Sequence, residues 1–203
     1  LSPVVPGRGR IGFFSQSGAL GVALLEAVVR RGLGLSTFVS AGNRSDVSGN
    51  DLLQYWADDP ATDVVLLYLE SIGNPRKFSR IVRRLAGDKP VLAVKSGRAG
   101  QGAPLGPGVR RSDLSASAID ALFGQSGVVR TATVSEMFDV AQQLSFQPLP
   151  QGRRALVLGN SDALAVIAVD ALAEYGLDLV DRPITFPVRA SAADFERALA
   201  AGV

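Results

Sequence analysis

A predicted strand that turns at once into a helix lies near the start of the chain and constrains the fold more than any other feature. The apolar run Ile11–Phe14 predicts the strand, Ser15–Gly18 a sharp polar turn, and the residues up to Arg31 a helix. Such a turn aims the first N–H groups of the helix, at the positive end of its dipole, into the space beyond the strand, where an anion can bind. The same residues also fit a plain helix start, with Ser17 as the N-cap and Gly18 easing the turn. Both interpretations stay open.

Strands and helices then alternate up to about residue 146. The predicted strands are 11–14, 35–40, 63–70, 90–95 and 128–130, and the predicted helices are 19–31, 48–57, 74–86, 114–123 and 133–144. Alternation at this spacing indicates right-handed crossovers and a parallel, doubly wound α/β sheet of the flavodoxin-like type. Ligands of such sheets bind beyond the carboxyl ends of the strands, near the reversal of strand order. The turns at Ser15–Gly18 and Glu70–Asn74 flank this point.

The opening pattern recurs at an offset of 144 residues, where Ser17 corresponds to Ser161. The stretch 147–152 (QPLPQG) between the two copies is typical of a linker. We therefore predict a first domain over residues 1–146 and an incomplete second flavodoxin-like α/β unit over residues 153–203. The second unit is predicted to contain a strand at 155–158, a helix at 162–175 and a strand at 177–180. The abrupt start at Leu1 favours a fragment of a longer protein.

The composition excludes several kinds of chemistry. The 203 residues contain no cysteine and no histidine, which removes disulfides, thiolate and imidazole chemistry, and the metal sites built on those ligands. We expect no metal. The formal net charge is +2 and the basic residues are dispersed, with Arg83-Arg84 at an expected helix end, so nucleic acid is not an expected partner. No long apolar run or signal peptide is visible, so we expect a cytoplasmic protein without a membrane partner.

Four segments together resemble a known family. They are GFFSQSGALG, FVSAGNRSDVSGNDLLQYWADDPATDVVLLYLESI, KPVLAVKSGR and QSGVVR, in family order over about residues 7–146. They resemble the succinyl-CoA-ligase-like flavodoxin domain of NDP-forming acyl-CoA synthetases, related versions of which lie in Pat-type protein lysine acetyltransferases. The resemblance implies acyl-CoA and ATP or ADP as ligands of the parent protein, with no cofactor in this fragment. It also implies further domains as partners (CoA-binding, ATP-grasp or GNAT acetyltransferase), and a homo-oligomer stays open.

The resemblance assigns roles to particular positions. In the working synthetases, a histidine after strand four carries the phosphoryl group, the turn after strand one holds that phosphate, and a glutamate after strand three orients the imidazole. The phosphate-holding turn corresponds to Ser15, Gln16, Ser17 and Gly18. The orienting carboxylate corresponds to Glu70. An ungapped count back from Gln125 places the histidine at or next to Gly108, where neither the histidine nor its motif is present.

Other polar residues near these positions allow two interpretations each. Asn43 and Asp46 match the Gly-Asn-x-x-Asp loop of the family and either shape that loop or contact a ligand. Lys95 and Arg98 either attract an anion to the loop after strand four or are solvated charges. Glu70, without the histidine it would orient, either keeps a role at the site or is an ordinary carboxylate at a strand end.

The missing histidine decides the functional prediction, because no other side chain here matches imidazole as a phosphoryl carrier near pH 7. An aspartyl phosphate at Asp113 or Asp120 is chemically possible, but no pattern favours it. We expect a non-catalytic module that binds or senses an acyl-CoA or a nucleotide and regulates an attached acetyltransferase. The alternative is a subunit of an active ADP-forming acetyl- or acyl-CoA synthetase (acid–thiol ligase) with its phosphoryl carrier elsewhere. In both cases the fragment alone is expected to be inactive.

Overall fold

The predicted alternation folds into one parallel sheet with helices on both faces. The structure is a computed structural model that describes residues 3–41, 47–96 and 114–201. The strands of the sheet are β1 (Arg8–Ser15), β2 (Leu35–Ser40), β3 (Val64–Leu69), β4 (Val91–Lys95) and β5 (Val128–Thr131). The helices are α1 (Gly18–Arg30), α2 (Gly49–Asp58), α3 (Pro75–Ala86), α4 (Ala116–Ser126) and α5 (Val134–Phe146). The strand order is β2-β1-β3-β4-β5 with every pair parallel, which confirms the predicted flavodoxin-like fold.

The helices begin at polar residues that cap their first turns. The Ser17 hydroxyl accepts a hydrogen bond from the N–H of Leu20, and the Thr133 hydroxyl accepts one from Glu136. Asn74 caps α3 in the same way, directly before a proline at the first helical position. These caps satisfy N–H groups that a helix cannot satisfy internally. They therefore fix where each strand-to-helix connection ends.

The core has two layers, one on each face of the sheet. All six residues of β3 are buried, as its near-continuous apolar run predicts. Val65, Leu67 and Leu69 pack in the layer formed with α2, α3 and α4. Alternate residues of the same strand pack with α1 and α5. Burial on both faces accounts for the central position of β3, and it holds the carboxyl ends of β1 and β3 side by side.

One close contact in the core depends on a glycine. The Trp56 side chain of α2 is fully buried. A Cβ added at Gly12 in β1 would lie 2.6 Å from that indole ring. The absence of a side chain at Gly12 therefore lets α2 lie directly on the strand that leads into the candidate site.

The chain forms two compact units, Leu1–Pro148 and Leu149–Val203. The elements of the second unit are β6 (Arg154–Ala155), β7 (Leu158–Gly159), α6 (Asp162–Glu174), β8 (Asp178–Leu179), β9 (Ile184–Thr185) and α7 (Ala192–Ala201). The prediction of one continuous strand at 155–158 was wrong. β6 pairs with β8 and β7 with β9, both in parallel. Because each partner strand is only two residues long, neither pairing extends across the whole run.

Candidate functional site

The carboxyl ends of the parallel strands meet at one edge of the sheet. β1 and β3 are neighbours there, with Ser15 paired to Tyr68 and the two strands followed by α1 and α3. The strand order reverses between β1 and β3, since β2 lies on one side and β4 on the other. A crevice at such a reversal is where open α/β sheets bind ligands. The structure therefore brings the two predicted turns, Ser15–Gly18 and Glu70–Asn74, to the same place.

The turn after β1 is held in shape by its first serine. Ser15 is fully buried. Its hydroxyl donates a hydrogen bond to the carbonyl of Ser17 at 3.0 Å and accepts one from the Ser17 N–H at 3.2 Å. The N–H of Gln16, between these two serines, donates a hydrogen bond to the carbonyl of Tyr68 in β3 at 3.0 Å. The backbone that enters α1 is therefore ordered by contacts within the protein.

The side chain of Gln16 joins this turn to the turn after β3. Its Oε1 accepts hydrogen bonds from the N–H groups of Glu70 and Ser71, at 2.8 Å and 2.9 Å. Its Nε2 donates to the carbonyl of Ser71 at 2.9 Å. Both polar ends of a side chain that is only 5% exposed are thus used inside the protein. An anion contact through this side chain stays a prediction, while the observed bonds make Gln16 a clamp between the two turns.

The first turn of α1 keeps donors at the surface. Ser17 satisfies the N–H of Leu20, at 3.4 Å. In the described part of the chain, the N–H groups of Gly18 and Ala19 have no acceptor. Gly18 is exposed, and a Cβ added there would meet no atom within 4 Å. Two backbone donors at a helix N-terminus, both on exposed residues, can hold a phosphate or a carboxylate.

Charged side chains lie along the same edge, beyond β3 and β4. Glu70 directly follows β3 and is exposed. Lys95 ends β4, paired to Leu69, and its amine donates to the carbonyl of Ser96. The pKa of Lys95 is below its ordinary value, mainly because the amine is partly buried. The negative charge of Glu70 offsets part of this decrease, and the positive charge of Arg130 adds to it. The edge therefore carries both signs of charge beside the Gln16 clamp.

The remaining predicted positions divide into two groups. Asn43, Asp46, Arg98, Gly108 and Asp113 lie outside the described residues. The carboxylate of Asp120, by contrast, forms an ion pair with Arg130 that joins α4 to β5. Asp120 is thus engaged with a structural partner, although phosphorylation at this position is not tested by that contact.

A small cavity that the sequence did not predict opens beside the clamp. Its volume is about 160 Å³. Gln16, Ser71 and Asn74 form one side of it, and the start of α2 around Gly49 forms another. Its floor is apolar and includes Phe14, Leu53, Leu67 and Phe78. The sequence marked the turns Ser15–Gly18 and Glu70–Asn74 that border this space, but no sequence pattern indicated the cavity itself.

Two features are absent from the described part of the chain. Within residues 3–41, 47–96 and 114–201, no cluster of three or more acidic side chains could hold a metal ion. None of the helices in those same ranges is both long and apolar enough to cross a membrane.

The fold and the crevice define a flavodoxin-like α/β domain with two exposed backbone donors at the end of its first strand, and comparison with known proteins gives its family. Residues 8–144 match the family described as succinyl-CoA ligase like flavodoxin domain, to which this chain belongs. The chain is 37% identical over 179 residues to the alpha subunit of acetate–CoA ligase [ADP-forming] I of Pyrococcus furiosus. It is 38% identical over 183 residues to acetate–CoA ligase [ADP-forming] I of Archaeoglobus fulgidus.

A solved structure is similar over nearly the whole chain. It is the dinucleotide forming acetyl-coenzyme A synthetase 1 of Ca. Korarchaeum cryptofilum in complex with phosphate and ADP, with a TM-score of 0.80 and 34% identity. The match covers 90% of this chain and 40% of that one. The two ligases above are matched over 88% and 89% of this chain, but over only 38% and 26% of their own lengths.

The comparisons agree with one of the two predicted functions and give no support to the other. The relatives described above are CoA ligases or synthetases, two of them named as ADP-forming. This agrees with the predicted family and with the alternative function. The link to Pat-type acetyltransferases, and the non-catalytic regulatory role built on it, receive no support from these comparisons.

Proposed function

We propose that this chain is part of an ADP-forming acyl-CoA ligase and that its first unit holds phosphate during transfer between acyl group and nucleotide. The observation that carries the proposal is the turn after β1. There, in a domain of this family, Gly18 and Ala19 present two N–H groups at the start of α1, on a turn clamped by Gln16. Backbone donors at a helix N-terminus bind phosphate without any charged side chain.

The role proposed for this unit is binding, because the chain has no phosphohistidine. The 203 residues contain no histidine, so the covalent carrier would be supplied by another part of the ligase. Glu70, whose N–H donates to the Gln16 side chain, is proposed to orient such a carrier. Acyl-CoA and ATP or ADP would be ligands of the complete ligase. CoA-binding and ATP-grasp domains or subunits would be its partners.

The test uses the parent protein with its companion domains or subunits. Incubation with ATP, magnesium, CoA and a panel of carboxylic acids should give acyl-CoA, ADP and inorganic phosphate. Radiolabelled phosphate from ATP should appear outside residues 1–203. Absence of acyl-CoA with every acid would contradict the proposal. Base-labile label on Asp113 or Asp120 would also contradict it, since the carrier would then lie in this chain.

A matched pair of variants tests the phosphate turn itself. Gly18→Asp places a carboxylate beside the free N–H groups, where it repels an anion. In the reverse reaction, from acyl-CoA, ADP and phosphate, we expect the KM for phosphate to rise at least about tenfold. Gly124→Asp is the control, since Gly124 also has open space around its Cα and lies in α4. Equal KM values in the two variants would remove this turn from the site.

The absence of histidine supports one other candidate, a module that binds acyl-CoA or a nucleotide without catalysis. In the same assay, that candidate predicts saturable binding of one of these ligands by the parent protein and no acyl-CoA formation.

A further inference from the structure

The exposed face of helix α3 is strongly basic. Its sequence, PRKFSRIVRRLA, contains five basic residues and no acidic one. They are Arg76, Lys77, Arg80, Arg83 and Arg84, and all five are exposed. The opposite face of the helix, with Phe78, Val82 and Leu85, is buried in the core. Five of the 21 lysines and arginines of the chain are therefore concentrated on one face of one helix.

The electrostatics of the helix account for only part of this charge. Arg83 and Arg84 lie in the last turn, where cations favour the helix dipole. Arg76 and Lys77 lie in the first turn, where the dipole disfavours them, and that turn has no acidic residue. Lys77 has an ion pair, with Asp51 at 3.9 Å. Within the described part of the chain, the four arginines have none.

The arginines border a groove between α3 and α4, two helices that pack against each other. α3 and α4 are held together by Phe78 and Phe123, with ring centroids 5.9 Å apart. They are also joined by the hydroxyls of Ser79 and Ser126 at 2.8 Å. The shallow groove between them is lined by Arg76, Arg80, Arg83 and Arg84, together with Pro75, Ser79 and Leu122. Four arginines thus line a groove that also contains the apolar residues Pro75 and Leu122. The arginines extend over about 12 Å of helix, since each residue advances about 1.5 Å.

We propose that this groove binds an acidic, amphipathic helical segment of a protein partner. Guanidinium groups bind carboxylates through paired hydrogen bonds. A helix with carboxylates three and four residues apart presents them along the same length. An apolar side chain of that helix would cover Pro75 and Leu122. Nucleic acid phosphates would make no use of these two apolar residues. The net charge of only +2 also gives the chain no general attraction for nucleic acid.

The partner is expected in the rest of the ligase, because the relatives are much longer than the part that this chain matches. The assignment of the partner to the rest of the ligase rests on the proposed function. The proposal that the groove binds an acidic helix does not depend on that function. The cross-linking test below uses the parent protein with its companion domains or subunits. Failure to form acyl-CoA would contradict the proposed function and leave the readouts for the groove unchanged.

The first test is zero-length cross-linking of the Arg80→Lys variant. This change keeps the charge and supplies an amine that carbodiimide joins to a carboxylate in contact with it. Lys77 and Asp51, on neighbouring helices, provide an internal positive control. We expect a cross-link from position 80 to a segment rich in Asp and Glu outside residues 1–203. Recovery of the Lys77–Asp51 cross-link without any such product would overturn the proposal.

The second test compares two triple variants of equal charge. Arg76→Gln/Arg80→Gln/Arg83→Gln changes the groove, and Arg154→Gln/Arg182→Gln/Arg189→Gln changes the second unit. The probes are a fluorescein-labelled amphipathic peptide with Glu at positions i, i+4 and i+7, and a labelled 20-base-pair DNA duplex. At 50 mM salt, we expect the groove variant to bind the peptide at least tenfold more weakly than the wild type and the control variant. Its melting temperature should not fall. Equal peptide binding by all three proteins, or tighter binding of DNA than of peptide by the wild type, would overturn the proposal.

Discussion

Gln16 is the residue on which the geometry of the crevice depends. Its carboxamide makes three hydrogen bonds to the backbone of Glu70 and Ser71, residues 54 and 55 positions away in sequence. It links the turns that follow the neighbouring strands β1 and β3. The family resemblance marks this position as part of a phosphate turn. The structure adds that its side chain supports the neighbouring turn.

Replacing Gln16 should therefore weaken the first unit. Gln16→Met keeps the length of the side chain but removes the acceptor for two N–H groups and the donor to Ser71. Because each buried hydrogen bond contributes about 1 kcal/mol and an unsatisfied buried group costs about 1–3 kcal/mol, we expect a loss of about 2–4 kcal/mol in the free energy of unfolding. Urea unfolding of the chain measures it.

Gln54→Met is the matched control for this change. The Gln54 amide donates to the carbonyl of Asn50 at 3.2 Å on the exposed surface of α2. Exposed groups exchange such bonds with water, so we expect an effect within about 0.5 kcal/mol. Equal losses in the two variants would show that the Gln16 clamp does not stabilise the fold.

At the scale of elements, the end of α4 sets the junction of α3, α4 and β5. Gly127 caps α4 in the left-handed conformation, with φ +74°. A Cβ added there would lie 3.1 Å from the Cβ of Ala86 at the end of α3. Both the backbone and the packing therefore require glycine at this position. The same two helices, α3 and α4, border the basic groove.

Two glycine-to-alanine changes in this region should change the free energy of unfolding in opposite directions. Gly127→Ala should lower the free energy of unfolding by about 1–2 kcal/mol, the cost of a left-handed conformation for a residue with a Cβ, with the Ala86 contact adding to it. Gly124→Ala, inside α4 and with nothing within 4 Å of an added Cβ, should raise it by about 0.5–1 kcal/mol. Thermal unfolding gives both values, and a shift of the same sign in the two variants would contradict this account.

At the scale of the molecule, the two units differ in how much apolar surface they bury. In the described ranges, Ala165 is the one buried apolar residue of the second unit. Leu164, Val166 and Ile167 of α6 are 65%, 60% and 63% exposed. The two sheets of that unit have two strands each. A unit of this kind has little hydrophobic stabilisation of its own.

The units should therefore behave differently when they are expressed separately. Residues 1–148 should unfold in one cooperative thermal transition, because they contain the complete five-stranded sheet and both core layers. Residues 149–203 should show no cooperative transition and should bind a dye that reports exposed apolar surface. Circular dichroism and dye fluorescence distinguish the two results. Cooperative unfolding of residues 149–203 would show that the small core is sufficient.

Much of this protein follows from local patterns in the sequence. The strand at Ile11–Phe14, the caps at Ser17, Asn74 and Thr133 and the flavodoxin-like sheet can be predicted from hydrophobic periodicity and turn residues, since these preferences act between neighbours. The lack of histidine, a matter of composition, excludes an imidazole carrier in this chain. The acetyltransferase prediction went beyond these patterns, because related domains occur in more than one kind of protein.

The tertiary structure decided what depends on residues far apart in the chain. Sequence spacing does not reveal that Gln16 binds the backbone at Glu70 and Ser71, or that Trp56 lies on Gly12. Nor does it show that the arginines of α3 border a groove with Leu122 of α4. Each of these contacts forms only when elements pack, because its free energy depends on burial and distance in three dimensions. Sequence therefore determined the order and type of the elements, and packing decided which side chains meet at the sites.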